Sequence, residues 1–230
     1  MPYTILVPQG AEYQAVRRGL SRVSGSTPNL IAIPLGIKPL TTYLHKLQAQ
    51  GQLSHHSQPR VLLMGLCGGL TPTYKVGDIV LYQDCIYQGK LQECDRTFTA
   101  EINSYLPLPL NVVKSLTSDC VVCAAAEKRH LNEVFAADVV DMEGFAALEF
   151  FNAVSVSVAI LRVVSDDFHH DIPDLTSAIN SDGSLKPLSL ALKLLSQPVA
   201  SIRLIQGSLR ALKVLEQVTT LLFSDAQREK

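Results

Sequence analysis

Two apolar runs that stop abruptly in acid constrain this chain most. One is Val139-Val140, followed by Asp141-Met142-Glu143-Gly144; the other is Ile160-Leu161-Arg162-Val163-Val164-Ser165, followed by Asp166-Asp167. Their β-branched content reads as strand. Apolar strands of an α/β protein lie inside the sheet, and ligands collect beyond their carboxyl ends. Glu143 and Asp166 are therefore expected at one rim, two acids in different surroundings. That arrangement serves acid–base work on a bond between a sugar and its leaving group. Each acid also has a plainer reading: Glu143 as the N-cap or first-turn charge of the next helix, Asp166 as the cap of a loop.

Strand and helix signals alternate along the chain. Tyr3–Val7, Asn29–Pro34, Arg60–Met64, Asp78–Tyr87, Asp119–Ala124, Ala137–Asp141 and Ser155–Val164 read as strands. Ala11–Arg22, Pro39–Gln50, Leu110–Leu116, Ala125–Phe135 and Gly144–Ala153 read as helices, with two more at the C-terminus split at Pro198. Gln88-Gly89-Lys90 is a hairpin turn, 51–59 a polar linker, and Asp171–Ser184 a loop with a turn at Asp182-Gly183. Cys94–Pro109 gives no clear signal. Ile202, Ile205, Leu209, Leu212 and Leu215 follow one helical face, expected to pack on the core, with a membrane or partner surface as the other reading. Residues 1–230 read as one α/β domain.

A chain 47% hydrophobic and 18% charged is far from the disordered class. Net charge is −1 and no Lys/Arg-rich run occurs, which argues against nucleic acid as a partner. The chain opens on a strand rather than a signal peptide. Its most apolar tract is broken by Lys193, Arg203, Arg210, Lys213 and Glu216, so no integral membrane segment is expected. Five cysteines argue against a disulfide framework and point to a reducing, cytoplasmic setting. Cys120 and Cys123, three positions apart in a strand-like run, fall on opposite faces and read as buried structural cysteines. His55-His56 and His169-His170 lack helical ligand spacing, so no metal is expected.

The segment Gly65-Leu66-Cys67-Gly68-Gly69-Leu70 follows an apolar strand, and Val76-Gly77-Asp78-Ile79-Val80 comes soon after. Glycines there let backbone approach a ligand. The run is neither a Walker loop nor GxGxxG. It resembles the glycine-loop signature of the purine/uridine phosphorylase family, most nearly its methylthioadenosine/S-adenosylhomocysteine nucleosidase branch. Val140-Asp141-Met142-Glu143 is similar to that family's ribose-binding segment, and Leu161-Arg162-Val163-Val164-Ser165-Asp166 to the segment with its purine-protonating aspartate. The stretch from Ile172-Pro173 to the helix at Pro187 resembles the hopanoid-associated phosphorylase-like branch. Three motifs in the same order make the resemblance cover nearly the whole chain.

The resemblance implies a three-layer α/β fold with a central mixed, twisted sheet flanked by helices, assembled as a homodimer or higher homo-oligomer. It implies cleavage of the N-ribosidic bond of a purine nucleoside with a 5′ substituent. Glu143 would hold the ribose hydroxyls, Met142 would pack on the sugar, and Asp166 would protonate the purine. That last step requires Asp166 to hold a proton near neutral pH, with burial and the adjacent Asp167 carboxylate as the expected causes. Glu12 aligns with the glutamate that engages the attacking water; it reads equally as an ordinary first-turn glutamate. Leu66, Cys67, Gly68 and Ser165 would complete the substrate surface.

Several positions depart from the family pattern. Tyr13, Leu63 and Leu66 stand where related phosphorylases have arginine and serine, and Arg17, Arg18 and Arg162 are badly placed to substitute. This favours hydrolysis over phosphorolysis. Leu66 lacks the nucleosidase hydroxyl, and Ala124-Ala125-Ala126 replaces base-pocket residues. No cofactor is implied, and phosphate is a co-substrate only if the enzyme is a phosphorylase. A nucleoside-binding family member without catalysis stays open.

Overall fold

The computed structural model describes residues 4–24, 27–51, 60–174, 180, 182–184 and 186–224. Strand and helix alternate as β1 (Thr4–Pro8), α1 (Ala11–Leu20), β2 (Asn29–Ile33), α2 (Ile37–Ala49), β3 (Arg60–Gly69), β4 (Ile79–Tyr87), β5 (Lys90–Glu93), α3 (Arg96–Ser104), β6 (Asn111–Thr117), α4 (Ala125–Phe135), β7 (Val139–Asp141), α5 (Gly144–Ala153), β8 (Ser157–Asp166), α6 (Pro187–Ser196) and α7 (Pro198–Phe223). His55, His56 and most of the expected linker lie outside the described residues.

These eight strands form one mixed sheet. β1 lies parallel between β2 and β3, and β3 runs parallel to β8. β8 pairs antiparallel with β4, β4 parallel with β6, and β6 parallel with β7. β7 then returns antiparallel to the end of β3. The pairings β3–β8–β4–β6–β7–β3 thus close into a ring, with β2 and β5 as edges. Side chains alternate across the sheet. In β8, Val158, Ile160 and Val164 join a core with α2 and α5, whereas Ala159, Leu161 and Val163 join one with α1, α3 and α7. Helices therefore cover both faces, and the polar ends of the central strands are left to form a site.

The structure departs from the sequence expectations in five places. Gly65–Gly69 is not a loop: it continues β3, with a register shift between Cys67 and Gly68 against β8. Leu110–Leu116, expected as helix, is β6, where Val113 and Ser115 are buried and Lys114 between them is exposed. That period of two belongs to a strand. The run 119–124, expected as strand, is irregular, because β7 takes the place beside β6. Cys120 is consequently exposed and Cys123 half-buried, unlike Cys67, Cys85 and Cys94 in the core. Cys94–Pro109 holds α3, whose N-cap Asp95 accepts the Phe98 N–H at 2.7 Å and whose Phe98 and Ile102 are buried.

The fifth difference is in α7. Its buried face is Gly207, Ala211, Leu215, Val218, Thr219 and Leu222, while Ile202, Ile205 and Leu209 of the expected core stripe are exposed. Small residues decide this orientation. A methyl group on Gly207 would meet the Ser165 carbonyl, and one on Gly19 of α1 would meet Glu216 and Thr219 of α7. Close approach at these glycines turns the bulkier leucine and isoleucine side chains outward. No described helix is long and apolar enough to cross a membrane.

Candidate active site

The carboxyl ends of β3, β7 and β8 and the start of α1 surround a cavity of about 240 Å³. Its wall holds all the site residues expected from sequence: Glu12, Leu66, Cys67, Gly68, Met142, Glu143, Ser165 and Asp166. The irregular run after β6 supplies Cys120, Val121 and Val122; Leu35, Val140, Asp141, Ile172 and Leu204 complete the lining. The expected base-pocket segment Ala124–Ala126 does not line it. Ala124 instead caps α4, and the Ala125 N–H is bound by Asp171 at 2.7 Å.

Glu143 sits at the N-cap position of α5 but makes no side-chain capping bond there. Its carboxylate crosses to α2, accepting the Gly36 N–H at 3.0 Å through Oε1, and meets Arg162 Nη2 at 3.2 Å through Oε2. The cap role at this helix start falls to Asp141, which accepts the Gly144 N–H at 3.1 Å and the Thr117 hydroxyl at 2.9 Å. Asp141 also binds Arg162 Nη2 at 2.7 Å. Burial holds the Glu143 pKa above the usual carboxylate value, against the pull of Arg162.

Arg162 is wholly buried in the middle of β8. Burial opposes its charge, but Asp141 and Glu143 outweigh that and hold its pKa above the ordinary arginine value. Its Nε and Nη1 have no hydrogen-bond partner among the described residues. A methyl group on Gly65 would collide with Nη1 and with Glu12 Oε2, so glycine here lets both side chains press against the strand. Glu12 is in the first turn of α1, yet its carboxylate reaches β3 and accepts the Leu66 N–H at 2.7 Å. Burial, with the Glu143 and Asp141 charges adding to it against Arg162, pushes the Glu12 pKa up to about 8. Leu66 therefore contributes a backbone donor where its side chain cannot.

Asp166, at the end of β8, meets a different partner. Its Oδ1 is ion-paired with Lys128 Nζ from α4, and Lys128 also donates to the Asp167 carbonyl at 2.7 Å. Ser165 Oγ lies 2.9 Å from Asp166 Oδ2 and 3.2 Å from the Cys67 carbonyl, one hydrogen between two acceptors. The Asp167 carboxylate is not the neighbour acting on Asp166, as the sequence suggested. It turns away to accept the His169 and His170 N–H groups at 2.8 and 3.0 Å and to meet the His170 ring at 2.9 Å. Burial works against it, but these hydrogen bonds hold the Asp167 pKa below the usual range. Gly68 leaves room for Asp166: an added methyl would sit 3.0 Å from Oδ1.

Three charged residues escaped the sequence reading as parts of the site. Arg162 had a signal, since a cation inside an otherwise apolar strand needs a buried counter-charge. Asp141 shares that signal as its partner. Lys128 had none: within Glu127-Lys128-Arg129-His130 it looks like part of a solvated helix face. Arg18, considered as an anion ligand, is committed elsewhere, to Glu216 of α7 at 2.7 Å, and Arg17 is exposed.

The sequence profile of the phosphorylase superfamily matches residues 46–182. An aminodeoxyfutalosine nucleosidase from Campylobacter jejuni is 27% identical over 146 residues, covering 52% of this chain and 61% of that protein. The match thus spans less than two thirds of that relative's length. Among solved structures, an S-adenosylhomocysteine nucleosidase from Streptococcus pyogenes, in complex with 5-methylthiotubericidin, superposes with a TM-score of 0.69 at 15% identity, over 96% of this chain and 95% of that one. A futalosine hydrolase from Helicobacter pylori gives a TM-score of 0.69 at 13% identity, over 96% and 97%. At these identities the likeness is one of fold, a mixed sheet flanked by helices.

Proposed function

Because this chain belongs to the phosphorylase superfamily, we propose that it hydrolyses the N-ribosidic bond of a purine nucleoside carrying a 5′ substituent. One observation carries the choice of hydrolysis: the cavity wall holds Glu12, Asp141, Glu143 and Asp166, and no lysine or arginine among the described residues. A phosphate dianion needs cationic donors, best supplied by arginine. A wall of acids without cationic donors disfavours a dianion and suits a neutral water and a sugar that becomes cationic.

In this scheme Glu143 accepts the ribose hydroxyls and Met142 packs on the sugar. Glu12 takes the proton of the attacking water. Asp166 gives a proton to the departing base. Similarity to the aminodeoxyfutalosine nucleosidase supports an adenine nucleoside. The apolar wall formed by Leu35, Val121, Val122, Ile172 and Leu204 suits an apolar 5′ group, from a methylthio group to an adenosyl lipid of the hopanoid type. The cavity lies below the ~300–1,000 Å³ of drug-sized pockets, so a long 5′ group has to extend beyond it. No redox or metal cofactor enters the scheme.

The exposed apolar row Leu192, Leu195, Val199, Ile202, Ile205 and Leu209 supports a homo-oligomer joined through α6 and α7. A second reading, nucleoside binding without turnover, draws on the ion pair that engages Asp166.

The deciding experiment incubates purified protein with adenosine, methylthioadenosine, S-adenosylhomocysteine and an adenosyl lipid, with and without phosphate, and follows free adenine. Equal release without phosphate is expected. Release that requires phosphate overturns hydrolysis, and bound but uncleaved nucleoside favours the second reading.

A further inference from the structure

α4 buries only two of its residues, Ala125 and Lys128, and of these Lys128 completely. Lysine is almost never fully buried unless paired. A buried ion pair that serves stability alone is often replaceable by apolar residues at no loss. Lys128 Nζ points at Asp166 and at the Asp167 carbonyl, fixing both the carboxylate and the backbone next to it. The other buried cation among the described residues, Arg162, is committed to Asp141 and Glu143 on the opposite side of the cavity. Each side of the site therefore has its own cation standing behind its carboxylates.

We infer that Lys128 is a positioning residue for leaving-group departure, acting through Asp166; this rests on the hydrolase reading above. As the C1′–N bond breaks, its electron pair passes to the base and the base takes the Asp166 proton. The water oxygen bonds to C1′, and the water proton goes to Glu12. Asp166 is then a carboxylate in a cavity that already holds Asp141 and Glu143, and the Lys128 ammonium is the charge that balances it. Without Lys128 the proton transfer creates an uncompensated anion, and the carboxylate loses the partner that aims it.

The test compares wild type, Lys128→Gln, Lys128→Met, Asp166→Asn and the double variant Lys128→Gln/Asp166→Asn on two substrates. Methylthioadenosine needs its base protonated; 4-nitrophenyl β-D-ribofuranoside releases a phenolate that does not. Loss of a general-acid step is worth roughly 100- to 10,000-fold, so Lys128→Gln is expected to lower kcat on methylthioadenosine by about 100-fold with KM little changed. On the nitrophenyl riboside the same variant should retain its rate to within about threefold, because no proton is transferred there. In the Asp166→Asn background Lys128→Gln should add nothing, as residues acting in one unit are not additive. Equal losses on both substrates, in variants that melt like wild type, overturn the inference.

Calorimetric titration with adenine separates this outcome from failure of the hydrolase reading. If wild type cleaves neither substrate, that reading falls, and adenine affinity decides on Lys128. Weaker binding in Lys128→Met and Lys128→Gln that vanishes in the Asp166→Asn background upholds its action through Asp166. Additive losses, or no adenine binding by wild type, overturn it.

Discussion

Glu12 and Leu66 meet across the cavity wall, the carboxylate of a helix's first turn accepting at 2.7 Å the backbone N–H of a strand residue. The bond pins the acid and favours its charged form, but burial outweighs it and pushes the Glu12 pKa up to about 8. Between the ordinary value of 4.5 and about 8, the folded chain holds a proton that the unfolded chain has released. Stability contributed by this group is whole below that window and lost as pH rises through it. Glu12→Gln removes the loss, so its melting temperature should gain on wild type between pH 5 and pH 8.5. The same substitution should cut hydrolysis roughly 100- to 10,000-fold, and the wild-type kcat/KM should climb toward pH 8 as the base form appears. A flat pH–rate profile, or a melting difference independent of pH, would sink this assignment.

Arg162 is the counter-charge for two buried acids at once. Arg162→Met strands Asp141 and Glu143 in the core, and breaking a buried pair in this way costs about 3–5 kcal/mol. Urea unfolding should show a sharply lower midpoint for the variant. An unchanged midpoint would mean that the surrounding hydrogen bonds to Gly36, Thr117 and Gly144 suffice alone.

The α6–α7 surface makes a separate claim. Replacing Ile202 and Leu209, both well exposed, with aspartate should leave the fold intact and convert an oligomer to monomer in sedimentation velocity. A monomeric wild type would remove the oligomer proposal. Co-sedimentation of wild type with lipid vesicles would instead assign the face to a membrane surface.

Sequence legibility followed local signal strength. Helix α5 was readable to the residue, because Gly144–Ala153 is apolar but for Glu149 and Asn152 and opens directly after a strand and an acid. β6 was misread because Leu110, Val113 and Leu116 recur at intervals of three, while its true period of two shows only in Val113, Lys114 and Ser115. α3 carried an Asp95 cap, hidden in a polar run that Pro107 and Pro109 soon break. The orientation of α7 could not be found from its own leucines, since Gly19 on a distant helix helps to set it. The acids at strand ends were legible because a carboxylate after an apolar run is rare; Lys128 was not, because its meaning depends on a partner 38 residues away.

Gly68 pairs with Val140 on one side and with Asp166 on the other. One small residue's backbone thereby ties together the two strands that deliver the acids, within a ring of strands that has no free end to slip. The distance between the Glu143 and Asp166 ends of the site is written in main-chain register, independent of which side chains fill the walls. The segments that contribute Leu35, Cys120–Val122 and Ile172 lie outside that ring. Such a division lets the loops change what the cavity accepts while the spacing of the two acids stays unchanged.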